Sequence, residues 1–190
     1  MRVYQYVNSI KKGVILQLFL LFITLNRAIS DTPQESIIGF DKLVATVNEQ
    51  IITQTDIDIE QKLSEYLPIE SVLLQSYRVS NPLASLILQK QIKYLAGNIA
   101  LYQPSESQIQ RRFLAFRSQW NNLEEYQQFL TSTGLTDRRI QGMIANQVLA
   151  ENYQRTNWGI PLESNSLSNQ ETLRKWIEKN ESAFEIRYIE

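Results

Sequence analysis

Of the side chains that most often carry catalysis, the 190-residue sequence offers carboxylates, guanidinium groups and hydroxyls, but no His and no Cys. Without histidine the commonest general base and a favoured metal ligand are missing, which excludes Ser-His and Cys-His nucleophiles and His-based zinc sites. Without cysteine a lipoprotein anchor is excluded as well. The carboxylates group in two places, the alternating Asp56, Asp58 and Glu60 and the adjacent Glu124 and Glu125. The first set lacks the glycine and distal glutamate of a calcium-binding loop, so it is expected to decorate an exposed helix turn. The second does not converge on one substrate, since adjacent residues on a helix point in different directions. Arg111–Arg112 and Arg138–Arg139 invite a comparison with nucleic-acid readers, but such binding needs clustered positive charge, and solvated helix faces are the expectation. No catalytic residue, cofactor or metal is expected.

Charge and hydropathy then separate the start of the chain from the rest. Arg2, Lys11 and Lys12 precede an apolar run, Val14 to Leu25, and Ala28-Ile29-Ser30 supplies the small residues of a signal-peptidase site. The run is shorter than the roughly 20 apolar residues of a spanning helix. Residues 1–30 are therefore expected to be a cleaved export signal that sends the protein to the periplasm, with an uncleaved membrane anchor as the rival reading. Four of the 19 basic residues lie in this segment, leaving 15 against 20 acidic ones, a formal −5 for the mature chain. That balance argues against nucleic acid as a partner. Residues 31–190 suffice for a single domain with its own core.

The elements that must carry any site follow from periodicity and caps. Leu43 to Val47 is a β-branched strand, Ile51-Ile52 returns after a turn at Asn48-Glu49-Gln50, and Thr53 with Asp56 resembles a capping box. A helix then runs to Tyr66, ahead of Leu67-Pro68. Ile69 to Ser80 is a short helix or helical linker with Val72, Leu73 and Tyr77 on one side. Asn81-Pro82 starts a longer helix with the stripe Leu88, Ile92, Leu95 and Ile99, which Pro104 stops. Ser105 and Gln108 cap the next, striped by Ile109, Phe113, Phe116 and Trp120. Leu123, Tyr126 and Leu130 mark a shorter helix that Gly134 ends, and Thr136 caps one carrying Ile140, Ile144 and Val148. Residues 157–170 form a Ser/Asn-rich connector with little reason to pack. Beyond it, Leu173, Trp176 and Ile177 share a helix face, and Phe184, Ile186 and Tyr188 alternate as in a half-buried strand. That strand needs a partner, and the early hairpin is the one available. The expected fold is mainly α, a helical body with a small N-terminal hairpin joined by a C-terminal strand.

The segments "DKLVATVNEQIITQTDID", "SLILQKQIKYLAGNIALYQPSESQIQRRF", "FLTSTGLTDRRIQGMIANQVLAENY" and "LRKWIEKNESAFEIRYIE" together resemble the N-terminal domain of the SurA family of periplasmic chaperones. The resemblance spans most of Asp41 to Glu190. It implies binding of unfolded outer-membrane or secreted proteins, transient proximity to the membrane, and a monomer or a strand-swapped dimer. In that family parvulin-type prolyl isomerase domains stand before the final helix. Here only Thr156 to Asn169 occupies the corresponding space, too little for a domain of about 50 residues or more. Holding of unfolded clients without isomerase activity is therefore expected, and a dedicated assembly adaptor or a residual prolyl isomerase are the alternatives.

A binder of unfolded chains needs apolar surface that tolerates varied sequences. The candidates are Leu73, Leu74 and Tyr77 from the short helix, and the aromatic group Phe116, Trp120, Tyr126 and Phe129. Periodic apolar residues are ordinarily core. Leu74 and Phe129, beside the main stripes of their helices, are the two expected to be exposed.

Overall fold

The computed structural model describes residues 41–189; the expected export signal lies outside the described residues. Strands β1 (Leu43–Val47) and β2 (Gln50–Thr53) form the hairpin, and seven α-helices follow among the described residues. These are α1 (Gln54–Tyr66), α2 (Val72–Ser80), α3 (Pro82–Ala96), α4 (Glu106–Arg117), α5 (Leu123–Thr133), α6 (Asp137–Tyr153) and α7 (Leu167–Glu181). Strand β3 (Ile186–Tyr188) completes an antiparallel sheet of order β2-β1-β3. The mainly α fold, with an early hairpin joined by the C-terminal strand, is as the sequence leads one to expect.

The closure has a defined register. Ala45 stands opposite Tyr188, Thr46 opposite Arg187 and Val47 opposite Ile186. The hairpin turn takes part too. Asn48 adopts φ 52°, a left-handed conformation that asparagine tolerates better than most residues. Its backbone N–H donates to the Glu185 carbonyl at 2.8 Å, and its side-chain oxygen accepts from the Glu185 N–H at 2.9 Å. Ala45, Val47, Ile52, Ile87 and Phe184 then form a small core that seats the sheet on α3.

Local signals place most helix ends. Thr53 and Asp56 make a complete capping box, with the Asp56 N–H bonded to Thr53 Oγ1 and the Thr53 N–H to the Asp56 carboxylate. Asn81 with Pro82 starts α3, Ser105 with Gln108 boxes α4, and Gly134 ends α5 at φ 64°. Ile140, Ile144 and Val148 are buried with Phe113, Phe116 and Tyr126 in one core. A second core joins Leu73, Leu74, Leu88, Ile92, Leu149, Tyr153 and Leu173.

Several expectations need correction. The third helix ends at Ala96 instead of running on to Ile99, which is exposed. Gly97-Asn98 is a weak helix-forming pair, and the Gln103 side chain satisfies the Gly97 carbonyl at 2.5 Å. In α2, Val72 faces solvent at 45% exposure, whereas Leu74 is only 4% exposed. Residues 157–170 do pack in part. The last turns of α6 widen into a π-helical segment, Gln154–Trp158, that buries Gln154 and turns the chain so that Ile160 enters the core. Helix α7 begins at Leu167, inside the expected connector, where the Ser166 hydroxyl accepts from the Asn169 N–H.

Candidate functional site

The side chains of α2 and α7 leave an open cleft of about 460 Å³ between the two helices. Two anchors set their spacing. At the start of α2, the Ser71 hydroxyl donates to Gln154 Oε1 at 2.5 Å while accepting from the Leu74 N–H, and the Val72 N–H donates to the Leu162 carbonyl at 2.8 Å. The π-helical segment thus ties the second helix to the strand of chain that leads into the last one. On the other side, Trp176 meets Tyr153 edge-on and Trp158 at a tilt, with ring centroids 5.9 and 5.5 Å away, and holds α7 on the end of α6.

The cleft has an apolar floor, Leu73 and Leu173, and half-buried walls, Tyr77 and Ile177. Its rim is mostly neutral and hydrogen-bonding, with Ser76, Ser80, Asn165 and Gln170. Arg174 and Glu178 complete the rim. Arg174 is held between Glu171, at 2.6 Å, and Glu178, so its guanidinium is engaged by its own helix. The hydrogen bonds Arg174 donates to Glu171, joined by the charges of both carboxylates, raise its already high pKa further. Burial, with a smaller contribution from Tyr188, raises the pKa of the Tyr77 phenol, so a neutral hydroxyl faces the cleft at physiological pH. A surface of this kind accommodates one apolar side chain and offers hydrogen bonds to the backbone around it.

The aromatic candidates form a separate group on the other core. Phe116 and Tyr126 are buried, and Trp120 and Phe129 are half-buried over them, with Trp120–Phe129 ring centroids 4.8 Å apart. Tyr66, from the end of α1, adds an exposed ring stacked on Trp120 at 5.7 Å. A second open depression, of about 600 Å³, beside Tyr66 and Phe129 is edged by Asp58, Lys62 and Glu65. Of the seven candidate residues, Leu73 and Tyr77 therefore line the α2–α7 cleft and Phe129 edges this second depression. Leu74, Phe116 and Tyr126 are core, and Trp120 is half-buried over the last two. The expected exposure of Leu74 fails because α2 is covered on two sides, by α3 and by the returning chain after α6.

Charged residues also differ from expectation. Glu60, expected on an exposed turn, is buried beside Arg78, with 2.9 Å between Arg78 Nε and Glu60 Oε1. Arg112, expected on a solvated face, is bonded through both terminal nitrogens to buried Glu151 and also reaches Glu70. Arg139 pairs with Asp56 at 3.0 Å. Residues that the one-dimensional reading missed are Ser76, Gln170, Leu173 and Ile177 as cleft lining. The apolar stripe of α7 is visible in the sequence, but its pairing with α2 is not.

No group of three or more carboxylates occurs with metal-binding geometry among the described residues. Comparison with family models, with curated proteins and with solved structures returns no match, so the chemistry of the cleft rests on its own geometry.

Proposed function

We propose that this protein is a periplasmic holdase that binds extended segments of unfolded envelope proteins by reversible apolar contact, without nucleotide and without isomerase chemistry. The observation that carries this reading is the α2–α7 cleft, with its leucine floor, its Tyr77 and Ile177 walls and its predominantly neutral hydrogen-bonding rim. Such a lining selects for an apolar side chain on an extended backbone and is indifferent to the rest of the client's sequence. Burying about 100 Å² of apolar surface contributes on the order of 2.5 kcal/mol, much of it offset by ordering the client. Weak and broad binding follows, as holding requires. The resemblance of the hairpin, the helical body and the closing strand to the SurA family supports the same reading.

The test is light scattering of a urea-denatured outer-membrane β-barrel protein diluted into buffer with increasing amounts of this protein. Near-stoichiometric suppression of aggregation is expected, weakened several-fold by Ile177→Asp, which puts a charge on the cleft wall. No suppression at any ratio would sink the proposal. A client panel in which one protein alone binds, and binds tightly, would favour a dedicated assembly adaptor instead.

A further inference from the structure

The chain between α3 and α4 turns its apolar residues outward. Residues 98–101 are exposed in succession, with Ile99 at 45% and Leu101 at 67%, and the stretch ends in a single 3₁₀ turn, Ala100–Tyr102. The backbone that carries them is largely satisfied from within. The Ile99 N–H donates to the Ala96 carbonyl at 3.0 Å, and the Tyr102 and Gln103 N–H groups donate to the Ile99 and Ala100 carbonyls at 3.1 and 3.2 Å. Gln103 Nε2 reaches back to the Gly97 carbonyl at 2.5 Å, and Asn152 Nδ2 donates to the Tyr102 carbonyl at 3.1 Å. The loop is thus pinned at both ends and asks little of water. Charge around it is mostly of one sign. From Ser71 to Ser105 the sequence holds no Asp or Glu, although the chain carries 20 of them. Lys93 is exposed, and its stem lies beside the loop: a Cβ at Gly97 would stand 3.6 Å from Lys93 Cγ. Arg155, also exposed, donates to Asn152 Oδ1 at 2.6 Å and so sits one hydrogen-bonded step from Tyr102. Neither cation makes an ion pair among the described residues. Of the carboxylates on this side, Glu163 lines a recess with Arg155, and Glu106, at the start of α4, accepts from Gln110.

We propose that this loop is a membrane-docking tip: Ile99 and Leu101 enter the interfacial region of a bilayer that bears anionic headgroups, with Lys93 and Arg155 against the phosphates. Footprint, backbone and charge all favour a lipid surface over a protein. A specific protein partner covers about 800 Å² on each side, far more than four consecutive residues supply, whereas a bilayer needs no matching shape. Groups that enter the acyl boundary must leave their water behind, and carbonyls already bonded within the loop do so at little cost. Unpaired cations beside an apolar tip are drawn to anionic lipid, in a protein whose acidic residues otherwise outnumber its basic ones. Tyr94, 64% exposed in the last turn of α3, is a ring of the kind that settles at headgroup level. Two apolar side chains and two cations give weak, reversible attachment to the surface rather than insertion across it. The proposal stands on the loop alone and does not rest on the holdase reading.

The chain has no cysteine, so one introduced at a chosen site is labelled alone. In the full chain, Ala100→Cys carrying a nitrobenzoxadiazole dye reports the loop tip, and exposed Ser132→Cys on α5 reports a different element. The dye senses only its own surroundings, so attachment through another segment does not mimic a signal from residue 100. The probe is a vesicle of phosphatidylcholine with about 30% phosphatidylglycerol, its acyl chains brominated to quench dyes that reach them. Blue-shifted emission and quenching are expected at residue 100 and neither at residue 132. Leu101→Asp and Ile99→Asp, made separately in the Ala100→Cys background, should each weaken the response about tenfold, and Lys93→Glu about threefold. All three replaced side chains are exposed, so circular dichroism and thermal unfolding should match the parent. Unchanged emission at residue 100, or equal quenching at residues 100 and 132, would overturn the proposal. An equal response to pure phosphatidylcholine would remove the anionic surface it commits to, and overturns it as well. A blue shift that grows with protein concentration without lipid would assign the tip to a second copy of the chain, with the same consequence.

Discussion

Glu60 and Arg78 show how much a single buried pair depends on its surroundings. Burial lowers the pKa of the Arg78 guanidinium, and the facing Glu60 charge partly restores it. Arg78 also donates to the Leu67 carbonyl at 2.7 Å and to the Glu60 carbonyl at 3.2 Å, which ends α1 against α2. Removing one partner strands a charge in the interior, so Glu60→Ala should lower the unfolding free energy by about 3–5 kcal/mol in urea denaturation followed by tryptophan fluorescence. Tyr126 provides a pH-dependent counterpart. Its hydroxyl donates to Asp137 at 2.6 Å, and burial first, then that bond and the carboxylate's charge, raise the phenol pKa above 10.0. A raised folded-state pKa contributes stability that is complete below the unfolded value and is lost as pH climbs above it. Stability should therefore fall above about pH 10, and Tyr126→Phe should flatten that part of the profile while costing about 1–2 kcal/mol at neutral pH.

At the level of elements, the helix ends are carried by local chemistry and should respond locally. Gly134 sits at φ 64° with open space where a Cβ would lie, so Gly134→Ala strains the backbone without a clash. A loss of about 1 kcal/mol is expected from thermal or urea unfolding, with the fold unchanged. The ends that the residues did not announce are those settled by distant partners. Helix α3 stops short because Gln103 folds back to cap it, and residues 157–170 are drawn into the core by Gln154, whose side chain reaches Ser71, Ile160 and Pro161. A π-helical turn of this kind has no signature in hydrophobic period. Leu74 departs from expectation for a similar reason: periodicity marks one stripe, but α2 is buried on two sides.

For the whole molecule, the closing strand decides whether the helical body is held at both ends. Phe184 anchors it, 5% exposed in the core beneath the sheet and edge-on to Tyr94 at 5.6 Å. Phe184→Ala should cost about 3–4 kcal/mol and loosen β3 ahead of global unfolding, seen as faster amide exchange at Arg187 and Ile189 than in the helices. What the sequence by itself determined is the order of strands and α-helices and the closure: caps, proline and glycine positions and apolar stripes are short-range, and a lone strand at the C-terminal end of a helical chain finds its partner in the early hairpin. Tertiary structure alone decided which stripes face each other. The α2–α7 cleft and the Glu60–Arg78 and Arg112–Glu151 pairs all depend on residues far apart in the chain. Hydrophobic period reports that a face is buried and is silent on what buries it, because burial is non-directional and the specific partner is chosen by packing.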